Sequence, residues 1–391
     1  MTNFSQVKYY ATCAGFKTDT EDLGCIVFPE NSVTVGVFTQ NLFIAAPVSV
    51  CKKHLSSSSA IRGLLINSGN ANCGNGEEGM EVCRQSCVLL SNKIGCSTNA
   101  ILPFSTGVIN EPISLKCFQN GIQKLIPTSV NLERVAKAIM TTDTRPKIVN
   151  KQFEIDGQII EISGIAKGAG MIQPNMATML AFVWTNANID KENLQLALNQ
   201  AVDQSFNCIT VDGDTSTNDS CTLTATGSSD ISLTHTSSHW EEWQSTLNQV
   251  FIELAQAIVL DGEGATKFVT VEVIDGHCIE DCRKVGFTIA NSPLVKTALF
   301  AEDPNLGRIA AAVGRAGVVM DFDKVKIWLD ELLVMENGQL SADYSEPKAQ
   351  KIMQKKAFSI KVSLSTGDNT CKVWTTDLSD EYVRINSDYR S

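Results

Sequence analysis

Apolar positions along the chain follow two rhythms. Runs of about four to eight apolar residues bounded by turn formers predict strands, and repeats at i, i+3 and i+4 predict helices. Gly24-Cys25-Ile26-Val27-Phe28 and Val33-Thr34-Val35-Gly36-Val37-Phe38 are runs of the first kind, with Pro29-Glu30-Asn31-Ser32 turning between them. Further strands are predicted over Gly63–Asn67, Ile101–Phe104, Met179–Trp184 and Phe268–Ile274, while Val325–Leu329 and Phe358–Val362 alternate like half-buried strands. Helical spacing predicts Glu77–Ile94, Leu132–Met140 behind an Asn131 cap, and a helix capped by Asp190. That last helix runs through Phe206 with Leu194, Leu198, Ala201, Val202 and Phe206 on one face. Another covers about Glu241–Leu260, and Ser292 followed by Pro293 starts one more. The mixture predicts an α/β fold. A candidate boundary near His277–Arg283 divides it into a larger part over residues 1–280 and a smaller carboxy-terminal part over 281–391.

The polar stretches between these elements are short and distinctive. Ser68-Gly69-Asn70-Ala71-Asn72 is built of small and amide residues and suits a loop with backbone donors exposed. In Ser105-Thr106-Gly107-Val108-Ile109 a Thr-Gly pair ends an apolar strand, which is common punctuation. The same pair suits a backbone N–H presented to a developing negative charge. Thr210–Asp219 is dense in carboxylates and hydroxyls, yet it fails as a calcium loop: Thr217 stands where glycine belongs and Leu223 where glutamate belongs. It reads as a polar turn between strands.

The chain is organised around Gly164 to Leu180. Three glycines in its first seven positions (164, 168 and 170) predict a loop, Pro174 removes a donor, and the apolar run from Met179 follows at once. Ala177 and Thr178 thus sit where a glycine-rich loop meets a rigid strand. A cut between them would give Thr178 both a hydroxyl and a free α-amine. That amine has an ordinary pKa of about 7.7–8.0, well placed for a general base at neutral pH, and threonine activated by its own amine is an established nucleophile. Spacing alone favours a plainer reading, a tight loop before a core strand with Thr178 one more β-branched residue.

Composition narrows the chemistry. With 391 residues and a net charge of −11, nucleic acid and anionic membrane surfaces are not the expected partners. The polar start Met1-Thr2-Asn3-Phe4-Ser5-Gln6 lacks the pattern of a signal peptide, so a cytoplasmic location is expected. The thirteen cysteines then read as reduced thiols. His277-Cys278-Ile279-Glu280-Asp281-Cys282 has no second cysteine pair at structural-zinc spacing, and no metal is expected. The glycine cluster lacks a P-loop ending and dinucleotide spacing, no Gly-x-Ser-x-Gly elbow occurs, and the four histidines have ordinary surroundings. What remains is a threonine nucleophile among small-residue loops.

Several strings then fall in one order over nearly the whole chain: Gly36-Val37-Phe38-Thr39, Asn67 to Asn72, Ser105 to Ile109, Met140-Thr141-Thr142-Asp143-Thr144, and Lys167-Gly168 to Leu180. Val211 to Asp219, Asp261-Gly262-Glu263-Gly264-Ala265-Thr266-Lys267, Asn291 to Thr297 and Tyr382 to Arg390 complete the set. On these the sequence resembles the ornithine acetyltransferase (glutamate N-acetyltransferase) family of arginine biosynthesis. The resemblance implies an α/β/β/α layered sandwich with a smaller carboxy-terminal α/β domain. It implies a precursor that cuts itself between Ala177 and Thr178 into fragments 1–177 and 178–391, which associate as a heterotetramer. Thr178 would take the acetyl group of N2-acetylornithine and pass it to glutamate, with Thr106 and Gly107 stabilising the oxyanion. Substrate contacts carry over to Thr141, Lys167, Thr178, Glu263, Asn386 and Ser391; Thr142, beside Thr141, competes for that match. No cofactor is implied; acetyl-CoA is a co-substrate in bifunctional members.

Two charges have a simple logic in that scheme. Lys167, in the expected flexible loop, offers a cation to a substrate carboxylate, and Glu263, flanked by glycines, answers a substrate ammonium. Without the resemblance each reads better as a surface charge. Ser391 in place of the family's usual threonine, Leu306 in place of tryptophan, the alanine at Ala301 and Asn110 in place of glycine depart from the pattern and bear on substrate preference. Three rival readings stay open: a self-cut threonine amidase or aminopeptidase, a silent homologue acting as an interaction module, and an acetyltransferase of a specialised pathway.

Overall fold

The computed structural model describes residues 6–58, 60–125, 131–173 and 179–388. The chain parts into two units. The first takes Met1–Gly168, Pro174–Asn207 and Thr215–Ile258, and the second Ala169–Gln173, Cys208–Asp214 and Val259–Ser391.

The first unit contains strands β1 (Lys8–Thr12), β2 (Leu23–Val27), β3 (Val33–Phe38), β4 (Gly63–Asn70), β5 (Ile101–Val108), β6 (Lys147–Ile155), β7 (Gln158–Lys167), β8 (Leu180–Thr185) and β9 (Ser220–Ala225). Its helices are α1 (Ala46–Ser57), α2 (Gly76–Ile94), α3 (Leu115–Lys124), α4 (Leu132–Ala138), α5 (Lys191–Asp203) and α6 (Trp240–Leu260), whose last two residues count with the second unit. One sheet has the order β1-β2-β4-β5 and the other β3-β9-β8-β7-β6. Each includes one parallel pair, β4 with β5 across α2 and β8 with β9 across α5, because parallel neighbours need a long crossover.

The two sheets pack face to face. Ile26, Leu64, Ile66, Leu102 and Phe104 of the first meet Ile165, Leu180, Phe182 and Trp184 of the second, with the Phe104 and Phe182 rings 4.7 Å apart. The alternate residues of the first sheet, Leu23, Cys25, Leu65 and Ile101, face outward onto Cys83, Cys87 and Leu90 of α2 and Phe118 and Ile122 of α3. On the second sheet Gly164 of β7 lets Leu254 of α6 approach; a Cβ there would stand 2.9 Å from Leu254 Cδ1. The order is therefore α/β/β/α. Strands covered on both faces read as continuous apolar runs, the pattern found in the sequence.

The second unit contains β10 (Phe268–Gly276), β11 (Lys326–Leu329), β12 (Leu332–Glu336), β13 (Gln339–Leu340), β14 (Ala357–Ser363) and β15 (Asn369–Thr375). Its helices are α7 (Ile279–Ala290), α8 (Pro293–Phe300), α9 (Leu306–Gly314), α10 (Glu346–Met353) and α11 (Asp380–Ser387). The sheet order is β13-β12-β11-β14-β10-β15. Val269, Val271 and Val273 of β10 pack on Cys282, Val285 and Ile289 of α7.

Caps fall where the sequence places them. Asn131 accepts from Arg134 N–H, Asp190 from Glu192 and Asn193 N–H, and Ser292 from Val295 N–H. The helices expected to reach Met140 and Phe206 end at Ala138 and Asp203, and three further boundaries differ. The expected division after residue 280 falls inside α7, because β10 belongs with β14 and β15. Ser68–Asn70, expected as loop, continues β4 beside β5. Gly164 to Lys167, expected as the start of a glycine-rich loop, is strand: these residues pair with both β6 and β8.

Candidate active site

The first unit gathers four of the candidate residues, Thr106, Gly107, Thr141 and Lys167. Lys167 closes β7 and is only 7% exposed, so it is neither a loop residue nor a surface charge. Its ammonium donates to Thr141 Oγ1 at 2.8 Å and Thr106 Oγ1 at 3.2 Å. Behind it stands Asp143, fully buried, whose carboxylate lies 3.9 Å from Lys167 Nζ and 2.6 Å from Lys147 Nζ. Asp143 also accepts from Gly168 N–H at 2.7 Å and Thr141 N–H at 3.0 Å. Burial alone would raise the Asp143 pKa, but the charges of Lys167 and Lys147 and these hydrogen bonds outweigh it and bring it down to about 2. A buried anion thus holds two buried cations in place and orients the residues around them.

Thr106 and Gly107 lie near the end of β5 beside a ladder of amides. Gly107 has φ +131, and a Cβ there would overlap the backbone of Gly69 and Asn70, so only glycine brings β4 and β5 this close. Asn67 Nδ2 donates to Asn70 O at 2.8 Å and Ser105 Oγ to Asn67 Oδ1 at 2.6 Å. Asn218, in the polar turn before β9, donates to Ala71 O at 2.5 Å and to Ser105 O at 2.9 Å. The turn is therefore a brace: it pins the backbone just before Thr106.

In the second unit Glu263 and Asn386 come together. Asn386 Nδ2 donates to Glu263 Oε2 at 2.7 Å, and the glutamate is 7% exposed. Its own N–H donates to Ala169 O at 2.9 Å. The carboxylate lies so close to Gly170 that a Cβ at that position would overlap it. The loop carrying Glu263 is held by Asp377, which accepts from Thr266 N–H at 2.8 Å and Lys267 N–H at 3.0 Å. Gly264 O is bound by Ser379 Oγ at 2.7 Å. Ala177, Thr178 and Ser391 lie outside the described residues. Leu180, two positions after Thr178 in the chain, is the strand partner of Lys167.

Sequence reasoning missed Asp143, Lys147, Asn67 and Asn218. Asp143 and Lys147 stand four residues apart in a polar segment and look like an ordinary surface pair; only burial gives them weight. Asn67 and Asn218 lay within motifs already singled out, but amides carry no signature of their own. None of the thirteen cysteines forms a disulfide among the described residues, and no group of three or more His, Cys, Asp or Glu among them is arranged to hold a metal.

Comparison with known proteins places the chain in the acyl-transferring class of enzymes. A family model described as the ArgJ family matches residues 8–391. The arginine biosynthesis bifunctional protein ArgJ of Methylococcus capsulatus is 49% identical over 375 residues, covering 95% of this chain and 91% of its own. The protein of the same name from Pseudomonas fluorescens is 46% identical over 367 residues, covering 93% of this chain and 90% of its own. A crystal structure of arginine biosynthesis bifunctional protein argJ from Bacillus halodurans matches at 38% identity with a TM-score of 0.52, over 54% of this chain and 99% of the solved one. The chain belongs to the ArgJ family.

Proposed function

We propose that this chain transfers the acetyl group of N2-acetylornithine to glutamate through an ester on Thr178. The bond between Ala177 and Thr178 is cut first, freeing the threonine amine. That amine takes the proton of its own hydroxyl as Oγ attacks the acetyl carbonyl carbon. The negative charge that forms on the carbonyl oxygen is met by Gly107 N–H and Thr106. Collapse breaks the bond to the ornithine nitrogen, which takes the proton and leaves as an amine. The amine of glutamate then attacks the ester by the reverse route and regenerates Thr178.

The observation that carries this reading is Lys167 held at Thr106 and Thr141 by buried Asp143. It sets a cation for an amino-acid carboxylate beside the proposed oxyanion donors. Glu263, supported by Asn386, offers the opposite charge for a substrate ammonium. The family's bifunctional relatives support acetyl-CoA as a second acetyl donor, and no metal or cofactor enters the scheme. Fragments 1–177 and 178–391 are proposed to associate as a heterotetramer in the cytoplasm, a location in keeping with thirteen cysteines outside any disulfide. No helix among the described residues is long and apolar enough to cross a membrane.

The mass of the denatured protein, with amino-terminal sequencing, tests the scheme. Two fragments are expected, the second starting Thr178-Met179-Leu180, and Thr178→Ala is expected to give one uncut, inactive chain. Cut protein is expected to acetylate glutamate from acetylornithine faster than it hydrolyses the donor. An uncut wild-type chain would overturn the scheme, and hydrolysis without transfer would favour the amidase reading.

A further inference from the structure

We propose that Lys17 is a substrate-binding residue, its ammonium joining that of Lys167 to seat the carboxylate that donor and acceptor amino acids have in common. The inference rests on the acetyl-transfer reading and adds to it a residue outside every motif noted above.

The loop bearing Lys17 is built around an anion. Asp22, fully buried, accepts from the N–H groups of Ala14 at 2.6 Å, Gly15 at 3.0 Å, Phe16 at 2.6 Å and Lys17 at 2.8 Å. Four amides converging on one carboxylate fix the backbone of residue 17. From there the side chain runs across Gly69: a Cβ on that glycine would stand 2.9 Å from Lys17 Cγ. Gly69 also lies against Gly107, its strand partner. Lys17, Gly69 and Gly107 are thus in consecutive contact, which ties the lysine to the proposed oxyanion donor.

The two ammonium groups are held by neighbouring residues. Lys17 Nζ donates to Met140 O at 3.0 Å, and Lys167 Nζ to Thr141 Oγ1 at 2.8 Å. The Met140 carbonyl is the one hydrogen-bond acceptor that the Lys17 ammonium has among the described residues, and an ammonium carries three donors. Three cations, Lys17, Lys147 and Lys167, face two carboxylates, Asp22 and Asp143. Both carboxylates are already occupied by backbone amides or by Lys147. The Lys17 ammonium has donors to spare beyond Met140 O, and a substrate carboxylate would accept from them. Burial lowers the Lys17 pKa, Asp22 opposes that, and Lys167 lowers it further, which places the two lysines within reach of each other's field.

Wild type, Lys17→Met and Lys17→Arg are compared in acetyl transfer to glutamate, from N2-acetylornithine and from its carboxamide. Methionine keeps the stem against Gly69 and removes only the charge. Wild type is expected to prefer the carboxylate donor. In Lys17→Met the KM for acetylornithine and for glutamate should rise about tenfold to a hundredfold, with kcat within about threefold. Most of the preference for carboxylate over carboxamide should be lost in that variant and kept by Lys17→Arg. Lys17→Gln, which can still donate to Met140 O, serves the same comparison should the methionine variant not fold. Neutral variants with wild-type KM values and undiminished preference overturn the role of Lys17 alone. A wild-type chain that transfers no acetyl group overturns the functional reading, and Lys17 with it.

Discussion

Asp143 concentrates the electrostatics of the first unit in one side chain. Its folded pKa, about 2, lies below the ordinary value of about 3.9, so the folded state binds this proton less readily than the unfolded one. The resulting stabilisation, about 2–3 kcal/mol, is fully present above pH 4 and is lost as the pH falls through 2. In Asp143→Asn two buried ammonium groups lose a buried counter-charge, and about 3–5 kcal/mol should disappear at pH 7 in urea unfolding. The acid limb of the stability curve between pH 4 and 2 should flatten in the same variant. Gly170 tests the other charge. An alanine there overlaps the Glu263 carboxylate and should cost on the order of a hundredfold in kcat/KM, with a far smaller change in melting temperature. Lys167 and Glu263 were legible because they stand in motifs. Their burial was not, since what encloses a charge comes from segments distant in the chain: Asp143 for one, Asn386 for the other.

At the level of elements, the strands buried on both faces and the capped helices were legible, for the reasons that make them stable. The hairpin of β6 and β7 was legible too and went unread: Asp156-Gly157 has φ of 49 and 77, the turn that an Asp-Gly pair between alternating apolar residues announces. Glycine density misled the reading of Gly164 to Lys167. Gly164 is there for close packing under α6, not for a turn. α8 carries a buried charge of its own. Lys296 is buried with Thr375 Oγ1 at 3.1 Å and the carbonyl of Thr376 as partners, and burial brings its pKa down to about 8. A lowered lysine pKa means that the unfolded chain binds more protons between pH 8 and about 10.4, so stability from this group rises with pH over that window. Wild type should gain about 3 kcal/mol from this group across it. Lys296→Met should lack that gain, as chemical unfolding at several pH values would show.

The molecule as a whole has more crossings between its units than a reading by boundaries allows. The second unit owns Ala169–Gln173 and Cys208–Asp214, both embedded in sequence that belongs to the first. Asp212 accepts from Met171 N–H at 2.6 Å, Ile172 N–H at 2.9 Å and the Tyr382 hydroxyl at 3.2 Å, which joins both short segments to the carboxy-terminal stretch. Residues 281–391 expressed alone lack these segments and the β10 strand. They should give the circular dichroism and amide exchange of an unfolded chain. No composition shift marks such insertions, and so this part of the architecture was not legible.

The second sheet of the first unit has a consequence for the fate of the polypeptide. In the order β3-β9-β8-β7-β6, strands β3, β6 and β7 precede residue 178 and β8 and β9 follow it, so the strands of the two proposed fragments are interleaved. The proposed cleavage before Thr178 would leave the ladders between β7 and β8 and between β3 and β9 in place. It does change the molecularity of unfolding. A cut protein unfolds by dissociating, and its melting temperature should climb with protein concentration, while that of Thr178→Ala should climb less. Under the proposed cleavage, maturation would be a ratchet: the sheet would assemble as one chain at no cost in encounter, and a molecule denatured after the cut would have to find its other half by diffusion.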